Sequence, residues 1–374
     1  MRRELERIAI PGEHEARGRA WALAQRAFAE REPTPPRRRL LIPALVALVA
    51  AIVVAAALSP PGRAVLGDVR DAVLPTRVEQ AQPALFSLPS AGRVLAVSDS
   101  GAWAIGRDGS RRLLGEYRDA SWSPFGRFVV ATRRNELAAL EPDGDVRWTL
   151  ARPDIRFPRW GGTREDTRIA YLTTSRLHVV AGHGRDDVDA GGLPAAAPIA
   201  PAWRPGRGHV VAYADTRGRV SAYDAEAGAL LFRARPRGRP VALAWSPQGR
   251  LAVATGDEIV ILSGNGRLLR RLPIRGANAL AFAPDGRLAV LRRTDLSVWQ
   301  ADFRVVSGLF RGAGRLDGLA WSPDGDWLLV GWPTADQWLF VPASGRGRIE
   351  AVSDVSAQLR SRSFPRIAGW CCPG

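Results

Sequence analysis

No lysine occurs anywhere in the 374 residues, so all 53 cationic side chains are arginine. That absence excludes the phosphate-cradling loop, which needs a lysine to reach the phosphates. Cysteine is almost absent too. The two that exist, Cys371 and Cys372, are adjacent at the C-terminus and cannot staple a fold. Chain neighbours stand about 3.8 Å apart at Cα, short of the usual disulfide span, which argues against a bond between them. They read as two small apolar residues, the alternative being a redox-active or intermolecular thiol role.

Histidine is scarce as well, and His14, His178, His183 and His209 make no metal-ligating spacing with a second ligand. The stretch "LHVVAGHGRDDVDA" sets His178 and His183 before Asp186, Asp187 and Asp189. Without the glycine turn of a calcium loop, it reads as a polar connection solvated at the surface. No Gly-x-Ser-x-Gly elbow is present, and Cys371 and Cys372 have no visible base. The sequence therefore predicts no catalytic residue, no cofactor and no metal.

What is present begins with a folded composition, 46% apolar, and a formal charge of +16. Arginine in place of lysine, with abundant Ala, Gly and Pro, fits a GC-rich bacterial genome. Codon usage does not account for the excess of positive charge. An anionic partner and a merely solvated basic surface are the competing readings. No arginine run is interleaved with aromatics as a stacking platform, so nucleic acid is not expected.

Residues 40–58, "LLIPALVALVAAIVVAAAL", form the single long apolar run, nineteen residues without charge. At about 1.5 Å per residue such a helix crosses the roughly 30 Å hydrocarbon core of a bilayer. A cleaved signal peptide is the rival, but 39 residues precede the run, long for a charged n-region. Arg37, Arg38 and Arg39 abut it on the N-terminal side, whereas Arg63, Asp68, Arg70 and Asp71 mix signs beyond it. The positive-inside rule then leaves residues 1–39 in the cytoplasm and the chain after about residue 60 outside. Residues 13–32 predict a cytoplasmic helix ending before Pro33, with Trp21 and Phe28 on one apolar face as candidate contacts to a headgroup layer or a cytosolic regulator. Residues 59–83, with Pro60, Pro61, Pro75 and Pro83, read as a stalk.

Residues 84–374 repeat one phrase. "SWSPFGRFVVAT" starts at Ser121, "AWRPGRGHVVAY" at Ala202, "AWSPQGRLAVAT" at Ala244, "AFAPDGRLAVLR" at Ala281 and "AWSPDGDWLLVG" at Ala320. Weaker copies stand at Leu88, Arg159 and Gly369. The aromatic markers Trp122, Trp160, Trp203, Trp245, Phe282, Trp321 and Trp370 are 37 to 49 residues apart. That period, filled by short alternating β-segments and tight turns, predicts an all-β propeller of four-stranded blades. The intervals favour seven blades over six or eight. The C-terminal "RIAGW" then completes the first blade and removes an exposed edge. Ser-Pro-Asp-Gly fits a type I turn, which explains Asp143, Asp285 and Asp324 without catalysis. Arg127, Arg250 and Arg287 follow the turn in three copies and form a candidate anion-attracting face.

The Trp-Ser-Pro-Asp-Gly units resemble the WD-repeat-like blades of TolB-type β-propellers, over nearly all of the predicted exterior part. The Pro is missing in the copy at Trp160, and no Trp stands near Leu88. The resemblance implies a fold and leaves the function open, since such propellers serve binding, assembly and as covers on enzymes. The expected role is a membrane-anchored, extracytoplasmic scaffold that binds a protein, ligand or envelope component without catalysis. The alternative is a transmembrane regulator of the anti-sigma type, with the propeller as sensor and residues 13–32 as effector.

Overall fold

The computed structural model describes residues 87–372 apart from 191, 192 and 207. The expected cytoplasmic helix with Trp21 and Phe28, the apolar run 40–58 and the stalk 59–83 lie outside the described residues. Among the described residues no helix is long and apolar enough to cross a membrane.

Seven antiparallel four-stranded sheets follow one another along the chain, the blades of a seven-bladed propeller. Counted from the N-terminal blade, the inner strands are Arg366–Cys371, Asp119–Trp122, Ile155–Gly162, Ala202–Trp203, Pro240–Trp245, Ala277–Phe282 and Asp317–Trp321. Blade 1 is thus closed by the last strand of the chain, with Val94 opposite Trp370 and Arg93 opposite Cys371. No edge is left open where the ring joins.

The hydrophobic core is a set of layers between neighbouring blades rather than one central mass. Blades 6 and 7 share Leu291, Val298, Trp321, Leu328 and Val341, and blades 2 and 3 share Val130, Leu137, Trp160, Ile169 and Tyr171. Both faces of each middle strand are therefore covered. Leu251–Thr255 is buried at all five positions, where simple alternation predicts one face in water. The fourth strands are the outer rim and are largely exposed, as in Leu268–Leu272.

Turn chemistry repeats as the phrase does. The amide of Gly126, Gly249, Gly286 and Gly325 donates to the carbonyl three residues earlier, each at 3.0 Å. The serine Oγ at the turn's first position, in Ser123, Ser246 and Ser322, accepts a backbone N–H from the start of the next strand at 2.9–3.0 Å. Asp143, Asp285 and Asp324 each accept the amide two residues on, at 3.0–3.2 Å. These side chains are occupied in holding turns.

Candidate functional site

The seven aromatic markers all sit at or near the ends of inner strands, facing the preceding blade. Trp321 donates its indole N–H to the Ala281 carbonyl at 2.9 Å, and Trp203 does the same to Arg159 at 2.8 Å. Each is a staple between consecutive blades. Trp370 donates to Ala91 at 3.2 Å, fixing the closing strand. Trp122, Trp160, Trp245 and Phe282 line the same layers as packing residues.

The residue after the turn glycine carries a second device. Arg287, in blade 6, donates to the Gly325 carbonyl at 2.7 Å and lies over the Trp321 ring at 5.1 Å. Arg93, in blade 1, donates to the Gly126 carbonyl at 2.7 Å and lies over Trp122 at 5.1 Å. Both clamp the next blade by its turn and its marker at once, combining a charge-assisted hydrogen bond with a cation–π contact. Arg250 makes a variant of the clamp with the Ala301 carbonyl and the Phe303 ring. The guanidinium groups of Arg250 and Arg287 are therefore committed to blade junctions.

Arg127 is different because blade 3 has no Ser-Pro-x-Gly turn to clamp. In its place the chain runs Gly161-Gly162-Thr163-Arg164-Glu165-Asp166. Thr163 and Asp166 close this hairpin, the Thr163 amide donating to the Asp166 carbonyl at 2.8 Å. Gly161 is required here, since a Cβ would stand 2.3 Å from the Trp203 ring of the next blade. Gly162 has φ +109°, which glycine tolerates. With the usual turn missing, a cavity of about 590 Å³ opens between blades 2 and 3.

One wall of that groove is the blade 2 turn, with Phe125 and Arg127, and the other is the blade 3 hairpin from Arg164 to Arg168. Phe128 and Trp160 form the floor, their rings stacked 5.9 Å apart at 13°. Trp148 closes the outer end, donating to the Gly182 carbonyl at 3.0 Å. Arg147 pairs with Glu141 at 2.8 Å and Arg168 pairs with Asp166. Arg127 lies over Phe128 at 5.2 Å and Arg164 over Phe125 at 4.9 Å. Among the described residues neither Arg127 nor Arg164 gives a hydrogen bond or ion pair to a protein acceptor. Phe125 is itself 42% exposed, at a position where the other clear copies carry Gly206, Gln248, Asp285 and Asp324.

Chemically the groove offers guanidinium donors and aromatic surface. Ser123 and His183 line it, but the Ser123 Oγ holds the Phe128 amide and the His183 Nδ1 accepts the Arg185 amide at 3.3 Å. Among the described residues no three His, Cys, Asp or Glu side chains gather as metal ligands.

Two expectations change. Asp187 is not in a solvated loop: its side chain is 7% exposed, it accepts from Arg152 at 2.6 Å, and the Tyr171 hydroxyl donates to it at 2.7 Å. Arg152 ends blade 2, so the pair ties blades 2 and 3 together where the turn clamp is missing. Burial, and then the bond to Asp187, push the Tyr171 phenol well above its usual range, and burial pushes the His178 imidazole down. Cys371 and Cys372 are joined by a disulfide between chain neighbours, with Cα atoms 3.7 Å apart. The pair lies against the blade 2 turn, Cys371 Sγ 3.6 Å from the Ser123 carbonyl and Cys372 Sγ 3.5 Å from that of Pro124.

A further charged cluster lies on the inner strands of blades 1, 2 and 3. Asp119 accepts from Arg366 at 2.6 Å and stands 4.0 Å from Arg159, whose pKa burial lowers.

Arg164, Phe125, Phe128 and Trp148 were not singled out by sequence reasoning. The signal that could have found them is the loss of the repeat's grammar at two neighbouring turns. No protein-family model matches the chain, and no curated protein matches it. Among solved structures, hydrazine synthase from Kuenenia stuttgartiensis aligns over 61% of this chain and 77% of its own, at 13% identity and a TM-score of 0.49.

Proposed function

We propose that the protein is a membrane-anchored, extracytoplasmic propeller that binds a protein or ligand at its turn-bearing face and performs no chemistry. The groove between blades 2 and 3 carries this reading. There the repeat's turn and its arginine clamp are both missing, and departures from an otherwise consistent pattern concentrate at functional sites. A wide face rimmed by loops on a rigid scaffold suits recognition. The anchoring part rests on the apolar run 40–58 and on the arginines before it. The Trp-Ser-Pro-Asp-Gly turns, similar to those of TolB-type propellers, are compatible with this reading, binding being one of several roles such propellers serve.

Two measurements test the reading. Protease added to intact cells should digest the propeller and spare residues 1–39; a fully protected propeller would contradict the topology. A photoreactive amino acid at position 125 should form adducts in cells, whereas one at Leu269, exposed on the rim of blade 5, should form few. Equal labelling from both positions would contradict a site in the groove. The regulatory alternative depends on Trp21 and Phe28. It predicts that Trp21→Ala with Phe28→Ala releases a cytosolic partner and leaves adducts at position 125 unchanged.

A further inference from the structure

We infer that the occupant of the groove between blades 2 and 3 is an acidic peptide segment of a protein partner, its carboxylates held by Arg127 and Arg164. The inference rests on the binding reading above and goes beyond it in naming the ligand's chemistry.

Three observations lead there. First, Arg127 and Arg164 stand on opposite walls, each guanidinium laid over a phenylalanine ring. Stacking fixes the plane of the fork and leaves its N–H edges free, the arrangement that receives a carboxylate in bidentate fashion at little ordering cost. Second, the equivalent arginines, Arg93 and Arg287, spend their N–H groups on the next blade's turn carbonyl. Arg127 has no such carbonyl in reach, because blade 3 lacks the turn. Third, several of the aromatic faces are already covered. Phe128 and Trp160 stack on each other, Arg127 covers Phe128, and Arg164 covers one face of Phe125.

The third observation separates ligand classes. Nucleic-acid bases and sugar rings need open aromatic faces on which to stack, and ring faces of Phe128, Trp160 and Phe125 are already taken, while guanidinium donors stand on both walls. A peptide uses what is offered: carboxylates for the arginines, and apolar side chains for the exposed side of Phe125. The excess of +12 over residues 84–374, 40 arginines against 28 acidic residues, draws an acidic partner toward the propeller at long range.

The test is selection of random ten-residue peptides, displayed on phage, against the full chain solubilised in detergent. Selected peptides should be rich in Asp and Glu beside apolar residues. Their affinity should fall about tenfold with Arg127→Ala and again with Arg164→Ala, the usual effect of losing a hydrogen bond to a charged group. Phe125→Asp restores the residue type of the turns at Asp285 and Asp324, so the fold is kept while Arg164 loses its stacking partner; it too should lower the affinity, with the thermal midpoint unchanged. Acidic peptides that bind the Arg127→Ala, Arg164→Ala double variant undiminished would overturn the inference and leave the binding reading standing. Selection of no peptide, with no other anion bound through these arginines, would overturn both. Phosphatidylglycerol vesicles or polyphosphate bound through these two arginines, with peptides ignored, would replace the peptide by another anion and overturn the inference.

Discussion

Blades 6 and 7 meet through Arg287, which holds the Gly325 carbonyl and the Trp321 ring; blades 2 and 3 meet beneath Arg127, which holds only a phenylalanine of its own blade. The same repeat position is thus structural at one junction and unengaged at the other. The cause lies in the following blade. Where Ser-Pro-x-Gly stands in blades 2 and 7, its glycine carbonyl satisfies the preceding blade's arginine; where Gly-Gly-Thr-Arg-Glu-Asp replaces it in blade 3, a cavity opens instead. Stability at the second junction comes from elsewhere, chiefly the buried Asp187 joined to Arg152 and Tyr171.

The largest expected effect concerns a third junction, the closure. Deleting residues 364–374 removes the inner strand of blade 1, with Ile367 and Trp370 buried in its core layer. Calorimetry should show loss of the cooperative transition for the whole propeller, and an unchanged melting temperature would break the account of closure. Next in size is a pair of truncations. Trp321→Ala should cost about 3–5 kcal/mol, since a buried indole leaves a cavity and frees the Ala281 carbonyl. Trp160→Ala should cost about 1–2 kcal/mol less, because Trp160 borders an existing cavity. Urea denaturation of both variants compares the junctions directly.

Smaller again is the arginine pair. Arg287→Ala should lose about 1–2 kcal/mol, the worth of a charge-assisted hydrogen bond and a stacked cation. Arg127→Ala should stay within about 0.5 kcal/mol of the parent, as a surface substitution away from such contacts does. The smallest effect is a pH dependence at the closure. Asp99 accepts the amides of Arg362 and Ser363 and the Ser363 hydroxyl, just before the closing strand. The side-chain and backbone bonds from Ser363 and the amide of Arg362 hold its carboxyl down at about 2. A lowered carboxylate stabilises the fold above its ordinary value near 4, and the contribution fades as pH falls toward 2. Asp99→Asn should flatten that acid limb of the melting curve and lower the neutral-pH midpoint slightly, toward the value the parent shows near pH 2.

Much of the architecture was legible because its causes are local. A turn needs Gly and Pro at fixed places, and an aromatic every forty residues reports blade packing. Seven blades and closure by "RIAGW" followed from that spacing. The burial of the middle strands and of Asp187 was not legible, since both depend on which blade lies against which. Adjacent cysteines argued against a bond that the structure contains. At the candidate site, Arg127 was visible as one of three equivalent residues, but its difference from Arg250 and Arg287 depends on carbonyls in the next blade. Phe125 in a Ser-Pro-x-Gly turn and the missing proline after Trp160 were the available signals, and they bear on function only when read together across one junction.

The central claim is that the two junctions divide labour between stability and recognition. Measuring thermal midpoint and acidic-peptide affinity on Arg127→Ala and Arg287→Ala side by side tests it most directly. The account predicts that Arg287→Ala lowers the midpoint and keeps affinity, while Arg127→Ala keeps the midpoint and loses about tenfold in affinity. Equal losses of midpoint in the two variants, with affinity untouched in both, would contradict it.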